Sequence, residues 1–299
     1  LSGPHSFGLT RRALISSLAA TGLGGSLAAP AAASVPRLAV VDWAMLETAL
    51  ALGAPPVAAS ELTLFRATAI EPAVPSGVAD LGLRGSISYE QLLASRPDLV
   101  LISPWYENRA HILSRVAPVA SFSIYEPGRP PYDLAVAATR TLGARIGLQE
   151  AAETAIARAE AELAAARAAL SRFAGRPVLI MNLADSRHFR VFGADSMFGD
   201  VLSRLGLASA WEQPTQFGAY PTVGVEALAG MTEAIVVNVG PTPRSALRDM
   251  QASPLWRAMP PIAAGRLVAL DPVNPYGALP AARRFATLLA KGLAALADA

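Results

Sequence analysis

Short apolar runs alternate with amphipathic stretches along most of the chain. Arg37-Leu38-Ala39-Val40-Val41-Asp42 reads as a buried strand. Trp43 to Leu52 follows with helical spacing, and Gly53 stops it. Leu99-Val100-Leu101-Ile102 predicts a second strand, broken by Ser103-Pro104, and Asp133 to Leu142 predicts a helix. The clearest pattern runs from Gln149 to Phe173. Ala152, Ile156, Ala159, Leu163, Ala166, Leu170 and Phe173 step by four and three, giving one apolar stripe. Glu153, Arg158, Glu160, Glu162, Arg167 and Arg172 lie off the stripe, and Gly175 ends it. Such a helix spans roughly 35–40 Å. Its heptads stop too early for a coiled coil, so it reads as a rod that packs along two lobes.

Beyond this rod the alternation restarts. Val178-Leu179-Ile180-Met181 and Arg190-Val191-Phe192 predict strands, and Ser196 to Leu205 predicts a helix closed by Gly206. Ala234-Ile235-Val236-Val237 and Leu267-Val268-Ala269-Leu270 predict further strands, and Pro280 opens a last helix through Leu296. Strands alternating with helices predict an α/β fold with a mainly parallel sheet. A faint echo links the two halves. Glu90-Gln91-Leu92-Leu93 precedes Pro97-Asp98-Leu99-Val100, and Glu226-Ala227-Leu228 precedes Thr232-Glu233-Ala234-Ile235-Val236. Each reads as a short helix with an acidic start that feeds a core strand.

The N-terminal stretch follows a different rule. Ala13 to Pro36 carries no charge, yet Gly22, Gly24, Gly25, Ser26 and Pro30 interrupt it. Arg11-Arg12 precede it, and Ala31-Ala32-Ala33 end it with small residues. Paired arginines before a weakly apolar region predict a twin-arginine export signal over residues 1–33, cleaved near Ala33. Cleavage removes Arg11 and Arg12 and no acidic residue, so 25 basic residues fall to 23, equal to the 23 acidic ones. A neutral mature chain argues against a nucleic-acid partner.

Composition then narrows the chemistry. The 299 residues include no cysteine, which excludes disulfides, thiolate metal sites and Cys nucleophiles. There are 3 histidines, one of which, His5, leaves with the export signal. His111 and His188 stand far apart with no ligand spacing around them. A G-x-S-x-G elbow, a Walker loop, an H-E-x-x-H pair and a GxGxxG turn after a strand are all missing. An exported α/β chain with no proposed nucleophile or base points to solute binding in a cleft. The alternatives are an extracytoplasmic enzyme on a related scaffold, or an interaction module that has lost its ligand.

Several segments, taken in order, carry a family likeness. They are Asp80-Leu81-Gly82-Leu83-Arg84, Glu90 to Leu93, Pro97 to Val100, Asp185 to Gly193 and Ser196-Met197-Phe198. Ala210-Trp211, Pro254 to Pro260, Ala264-Gly265-Arg266 and Tyr276-Gly277-Ala278 complete the set. Together they resemble the periplasmic ferric hydroxamate siderophore-binding proteins, the FhuD-like branch of the helical-backbone binding proteins. The resemblance implies two Rossmann-like α/β lobes joined by one long backbone helix, with a ligand cleft between them. The corresponding parts here are 34–148, the connecting helix 149–174, and 175–299. It also implies capture of a ferric siderophore in the periplasm and delivery to an inner-membrane ABC importer, downstream of an outer-membrane receptor system. The mature protein is expected to be a monomer, with no enzymatic activity, resident cofactor or metal-ligating residue.

Arg84 matches the family arginine that hydrogen-bonds hydroxamate oxygens, and Tyr106 matches the family tyrosine at the same place. A guanidinium offers several donors in a fixed fork, and a phenol adds one donor and an aromatic face. Trp43, Trp105 and Tyr276 fall at or beside positions that build the aromatic pocket. Where the family often has a tryptophan after the lobe connection, this chain has Phe217-Gly218-Ala219-Tyr220, so Phe217 or Tyr220 is expected to fill in. Another family tryptophan falls near Thr68, and a family leucine falls at Arg190, which offers a second guanidinium. Three hydroxamates balance Fe³⁺ to about zero, whereas three catecholates leave about −3. One or two arginines therefore suit a hydroxamate complex, with mixed or carboxylate types next. For docking to the importer, Glu226 matches the second-lobe acidic position, while His111 stands at the first-lobe one with Glu107 nearby. Haem or cobalamin is the alternative cargo of the same fold, and Tyr106 is the residue that would ligate haem.

Overall fold

The computed structural model describes residues 1, 3, 34–213, 215 and 222–297. Most of the expected export segment, together with Phe217 and Tyr220, lies outside the described residues. From Val35 onward the chain clusters as one compact unit.

The first sheet contains β1 (Leu38–Val40), β2 (Ala58–Ala59), β3 (Ala79–Asp80), β6 (Leu99–Ile102) and β7 (Val119–Ser121). Their order is β3-β2-β1-β6-β7, and every pairing is parallel. Between β3 and β6 the chain makes a small antiparallel hairpin of β4 (Gly82–Leu83) and β5 (Ser86–Ile87). The second sheet contains β8 (Pro177–Leu183), β9 (His188–Val191), β10 (Ala208–Ser209), β11 (Thr222–Gly224), β12 (Ile235–Val239) and β13 (Leu267–Leu270). Here β10, β8, β12 and β13 run parallel, and β9 and β11 add an antiparallel margin. The central parallel strands are buried on both faces, and most of their residues are apolar. Leu38–Val40, Leu99–Ile102 and Ile235–Val239 are buried at every position.

The echo between the halves has a structural counterpart. In both sheets the first strand (β1, β8) lies between the second parallel strand (β2, β10) and a later one (β6, β12), with β7 or β13 outside it. The chain reverses direction across the sheet between β1 and β6, and again between β8 and β12. Such reversals open a crevice beyond the carboxyl ends of the strands. The short helix Tyr89–Ala94 precedes β6, and a 3₁₀ turn, Val225–Gly230, precedes β12.

The mid-chain rod is the helix Gln149–Ala169, which buries Ala152, Ile156, Ala159, Leu163 and Ala166. It ends four residues before the predicted Phe173. Leu170 leaves helical geometry, and Ser171–Phe173 forms a 3₁₀ turn that still buries Phe173. The helix packs against Pro131–Ile146 and Leu279–Ala297. A side chain at Gly143 would drive into Ala152, its Cβ only 2.5 Å from that methyl, so glycine permits the close crossing. One apolar cluster runs from Leu38 and Trp43 through Ile156 and Leu163 to Phe285 and Leu293, so this helix layer joins the two halves.

Candidate functional site

The chemistry collects at the carboxyl end of the first sheet. Asp42 leaves β1 and caps the helix Trp43–Ala51, accepting from Ala44 N at 2.9 Å and Met45 N at 3.2 Å. Burial pushes its carboxyl above the usual range, against the pull of the Ser103 hydroxyl, these two N–H groups and the Arg84 charge.

Trp43, expected to wall the pocket, opens the helix that Asp42 caps. It is only 4% exposed. Its Nε1 donates to Ser60 O at 3.1 Å, and Phe65 meets it edge-on at 5.4 Å. One face of the indole carries Arg84, whose guanidinium carbon sits 3.9 Å from the ring centroid. Arg84 lies in the turn of the β4–β5 hairpin, and its Nε donates to Glu61 Oε2 at 2.5 Å. Its terminal nitrogens have no protein partner among the described residues. Arg109 Nη1 reaches the Arg84 carbonyl at 3.5 Å.

Tyr106 follows β6 in the 3₁₀ turn Pro104–Arg109 and is half-buried. Burial raises its phenol pKa, and Arg84 is the foremost charge acting on it, with Asp42 and Glu61 opposing. The guanidinium and the phenol are therefore electrostatic neighbours. Trp105, in the same turn, is 49% exposed. It stacks on Tyr125 with centroids 6.0 Å apart and meets Tyr276 edge-on at 5.6 Å. Tyr276 arrives from the loop after β13, so the fold brings together Trp105 and a residue far along the chain. Tyr125 is the member that sequence reasoning missed. Its only signal is an aromatic placed just beyond an apolar strand. Its Oη donates to Gly277 O at 2.7 Å and to Pro275 O at 3.4 Å.

Arg190 lies on β9, exposed, and has no ion pair among the described residues. With Thr68, Asn182, Gly240, Pro241 and Tyr276 it lines a cavity of about 280 Å³. Asn182, Gly240 and Pro241 stand at the carboxyl ends of β8 and β12, where the second sheet reverses. Both sheets thus present strand ends to the region of Tyr276. A larger groove of about 1350 Å³ lies over Gly147–Ala155 and Arg283–Leu288. Most of its charges are paired: Glu162 with Arg158 and Arg283, and Glu71 with Arg284, while Glu150 also lines it. It offers no converging set of open donors.

Glu226 is exposed in the turn before β12. Glu107 is exposed and accepts from Ser121 Oγ at 2.6 Å. Among the described residues no group of three or more His, Cys, Asp or Glu side chains is placed to hold a metal ion. No described helix is long and apolar enough to cross a membrane.

The sequence profile of the periplasmic binding protein family matches residues 38–273. The chain is 30% identical over 283 residues to the iron(3+)-hydroxamate-binding protein FhuD of Escherichia coli, covering 94% of this chain and 95% of that protein. Its fold is similar to the crystal structure of the Fe³⁺-Desferal-bound siderophore-binding protein FhuD from Vibrio cholerae, with a TM-score of 0.83. That match has 28% identity and covers 88% of this chain and 99% of the other. The petrobactin-binding protein YclQ of Bacillus subtilis shares the fold at 15% identity, with a TM-score of 0.71 over 87% of this chain and 93% of its own.

Proposed function

The chain belongs to the periplasmic binding protein family, and from that premise we propose how it selects and holds its cargo. It is a ferric siderophore-binding protein that serves an ABC importer. The finer reading is a hydroxamate siderophore. The observation that carries it is Arg84, braced on Trp43 and Glu61, with its terminal donors unpartnered among the described residues and its charge acting on the Tyr106 phenol.

Physical chemistry supports this reading. A hydroxamate chelate fills the iron coordination sphere with its own oxygens, so the protein needs donors and flat walls rather than metal ligands. Arg84 and Tyr106 supply donors for the chelating oxygens, and Trp105, Tyr125 and Tyr276 supply an aromatic wall. Glu61 balances Arg84 in charge, which suits a chelate near neutrality. Fe(III) enters as cargo, and we assign no resident cofactor and no enzymatic step. Phe217 and Tyr220 complete the pocket in this reading, and Arg190 borders it. Glu226 and Glu107 serve the permease. Export by the twin-arginine signal, a monomeric state and supply through an outer-membrane receptor belong to the same proposal.

Native mass spectrometry of the mature protein against a ferric siderophore panel tests the reading. Retention of ferrichrome-type complexes, weakened by Arg84→Ala, is expected. Retention of catecholate complexes alone would overturn the hydroxamate class. A Soret band on haem addition, lost in Tyr106→Phe, would transfer the assignment to haem.

A further inference from the structure

Glu47 is a carboxylate with no contact to solvent, in the middle of the helix Trp43–Ala51. Its three hydrogen bonds all come from the far end of the chain. Asn274 Nδ2 donates to Oε1 at 2.7 Å, and Ala278 N and Ala281 N donate to Oε2 at 2.9 and 3.2 Å. Ala278 and Ala281 stand at the start of the helix Leu279–Ala297, whose dipole favours a negative group there. Glu47 thus caps a helix more than two hundred residues away in sequence. The approach depends on Gly277, where an added Cβ would lie 2.6 Å from Glu47 Oε2.

The link continues to the site. Asn274 is fully buried and uses both ends of its amide: Nδ2 binds Glu47, while Oδ1 accepts from Tyr276 N at 3.1 Å. Tyr125 Oη pins the same loop through the Gly277 carbonyl. The Tyr276 ring lies against Trp105 and Tyr125 and lines the cavity that holds Arg190.

We propose that Glu47 is a positioning residue for siderophore capture: from within the first lobe it clamps the loop Asn274–Ala278 and thereby sets Tyr276 in the cleft. The role rests on the binding function assigned above. All three partners of the carboxylate are N–H donors, so the ionised form satisfies them all. Protonation sets an O–H against an N–H and breaks one contact, which loosens the loop. Burial raises the Glu47 pKa to about 8, Asp42 at the head of its own helix adds to the rise, and the three donors oppose it. The other titratable group acting with it is Tyr125, held well above 10 by burial and by Glu47 itself, and Tyr276 acts on Tyr125 in turn. Arg283 and Arg284 on the capped helix are engaged by Glu162 and Glu71.

Two measurements on the full chain test this. In ligand-free protein, the Trp105 emission, isolated by difference from Trp105→Phe, is expected to change with pH about a midpoint near 8. Glu47→Gln should abolish that transition. Against ferrichrome, Glu47→Gln should weaken binding about 3- to 10-fold at a pH above the transition. In a Tyr276→Ala background the same substitution should cost less than about twofold. A full Glu47→Gln effect in that background, or a transition that survives Glu47→Gln, overturns the proposal. Should Glu47→Gln not fold, Asn274→Ala cuts the side-chain link between Glu47 and Tyr276 N and carries the binding measurement. Failure of the wild-type chain to hold any ferric hydroxamate would reject the hydroxamate reading, while the ligand-free transition still decides the role of Glu47.

Discussion

The Arg84 guanidinium lies 3.9 Å from the centre of the Trp43 ring while its Nε is bound to Glu61. An arginine held on two sides has lost most of its rotamer freedom before any ligand arrives, so each hydrogen bond it then donates costs less entropy. Arg84→Ala is expected to weaken ferrichrome binding by at least about tenfold, the worth of one charge-assisted hydrogen bond. Arg84→Lys should recover little, because an ammonium lacks the planar fork that lies flat on an indole. Tryptophan-quenching titrations check both, and full recovery by lysine would mean that charge alone matters here.

Tyr106→Phe removes one neutral donor and should cost about 2- to 10-fold in affinity. Burial holds the phenol above its ordinary value of 10, so it remains a donor at every pH below that. The ratio of wild-type to Tyr106→Phe affinity should therefore stay constant from about pH 6 to about pH 9. Isothermal titration calorimetry at several pH values measures it, and a ratio that collapses toward one at mild alkalinity would contradict the assignment.

Arg190 has no carboxylate partner among the described residues and borders the cavity beside Tyr276. Arg190→Ala should leave the affinity for neutral ferrichrome within about twofold. An anionic chelate should lose more affinity, and its binding should lose salt dependence as well. Titrations at two ionic strengths separate these outcomes. An equal loss for the neutral and the anionic complex would place Arg190 on the chelate itself.

The Glu47 carboxyl also makes a prediction about stability. Its unfolded value is 4.5 and its folded value about 8, so between these the folded state binds a proton that the unfolded chain has released. The Glu47 contribution is then largest below pH 4.5, falls as pH rises toward 8 and is level above it. Urea unfolding of wild type and Glu47→Gln at pH 5 and 8.5 should show wild type losing ground to the glutamine variant at the higher pH. A constant difference would mean that the carboxyl does not titrate in this window.

Ile156 is 2% exposed on the buried stripe of the connecting helix. Ile156→Ala should destabilise the protein by about 2–5 kcal/mol, because it leaves a cavity in the layer that joins both sheets. Thermal unfolding reports the loss, and a change within experimental error would mean that the stripe packs loosely.

Much of this architecture is legible in the sequence. Periodicity fixes local burial, so Leu99–Ile102 and Leu267–Leu270 form strands at the predicted residues, and Ala152 to Ala166 form the buried stripe. The spacing reports burial rather than helix length: the rod ends at Ala169, yet Leu170 and Phe173 keep their places in the apolar layer. Arg84, Tyr106, Trp105 and Tyr276 are singled out by the family resemblance and not by periodicity; Arg84 stands in a hairpin turn, Trp105 and Tyr106 in the turn after β6, and Tyr276 in the loop after β13.

What the sequence by itself determined is which stretches bury a face, and hence the strands, the helices and their order. Only the tertiary structure decided that Trp43 lies beneath Arg84 as a bed, that Tyr125 joins Trp105 and Tyr276, and that Glu47 meets Asn274. A side chain's period reports the face it buries, whereas its partner depends on which strand ends the sheet order brings together. Asn274 stands 227 positions from Glu47, and no local pattern carries that pairing.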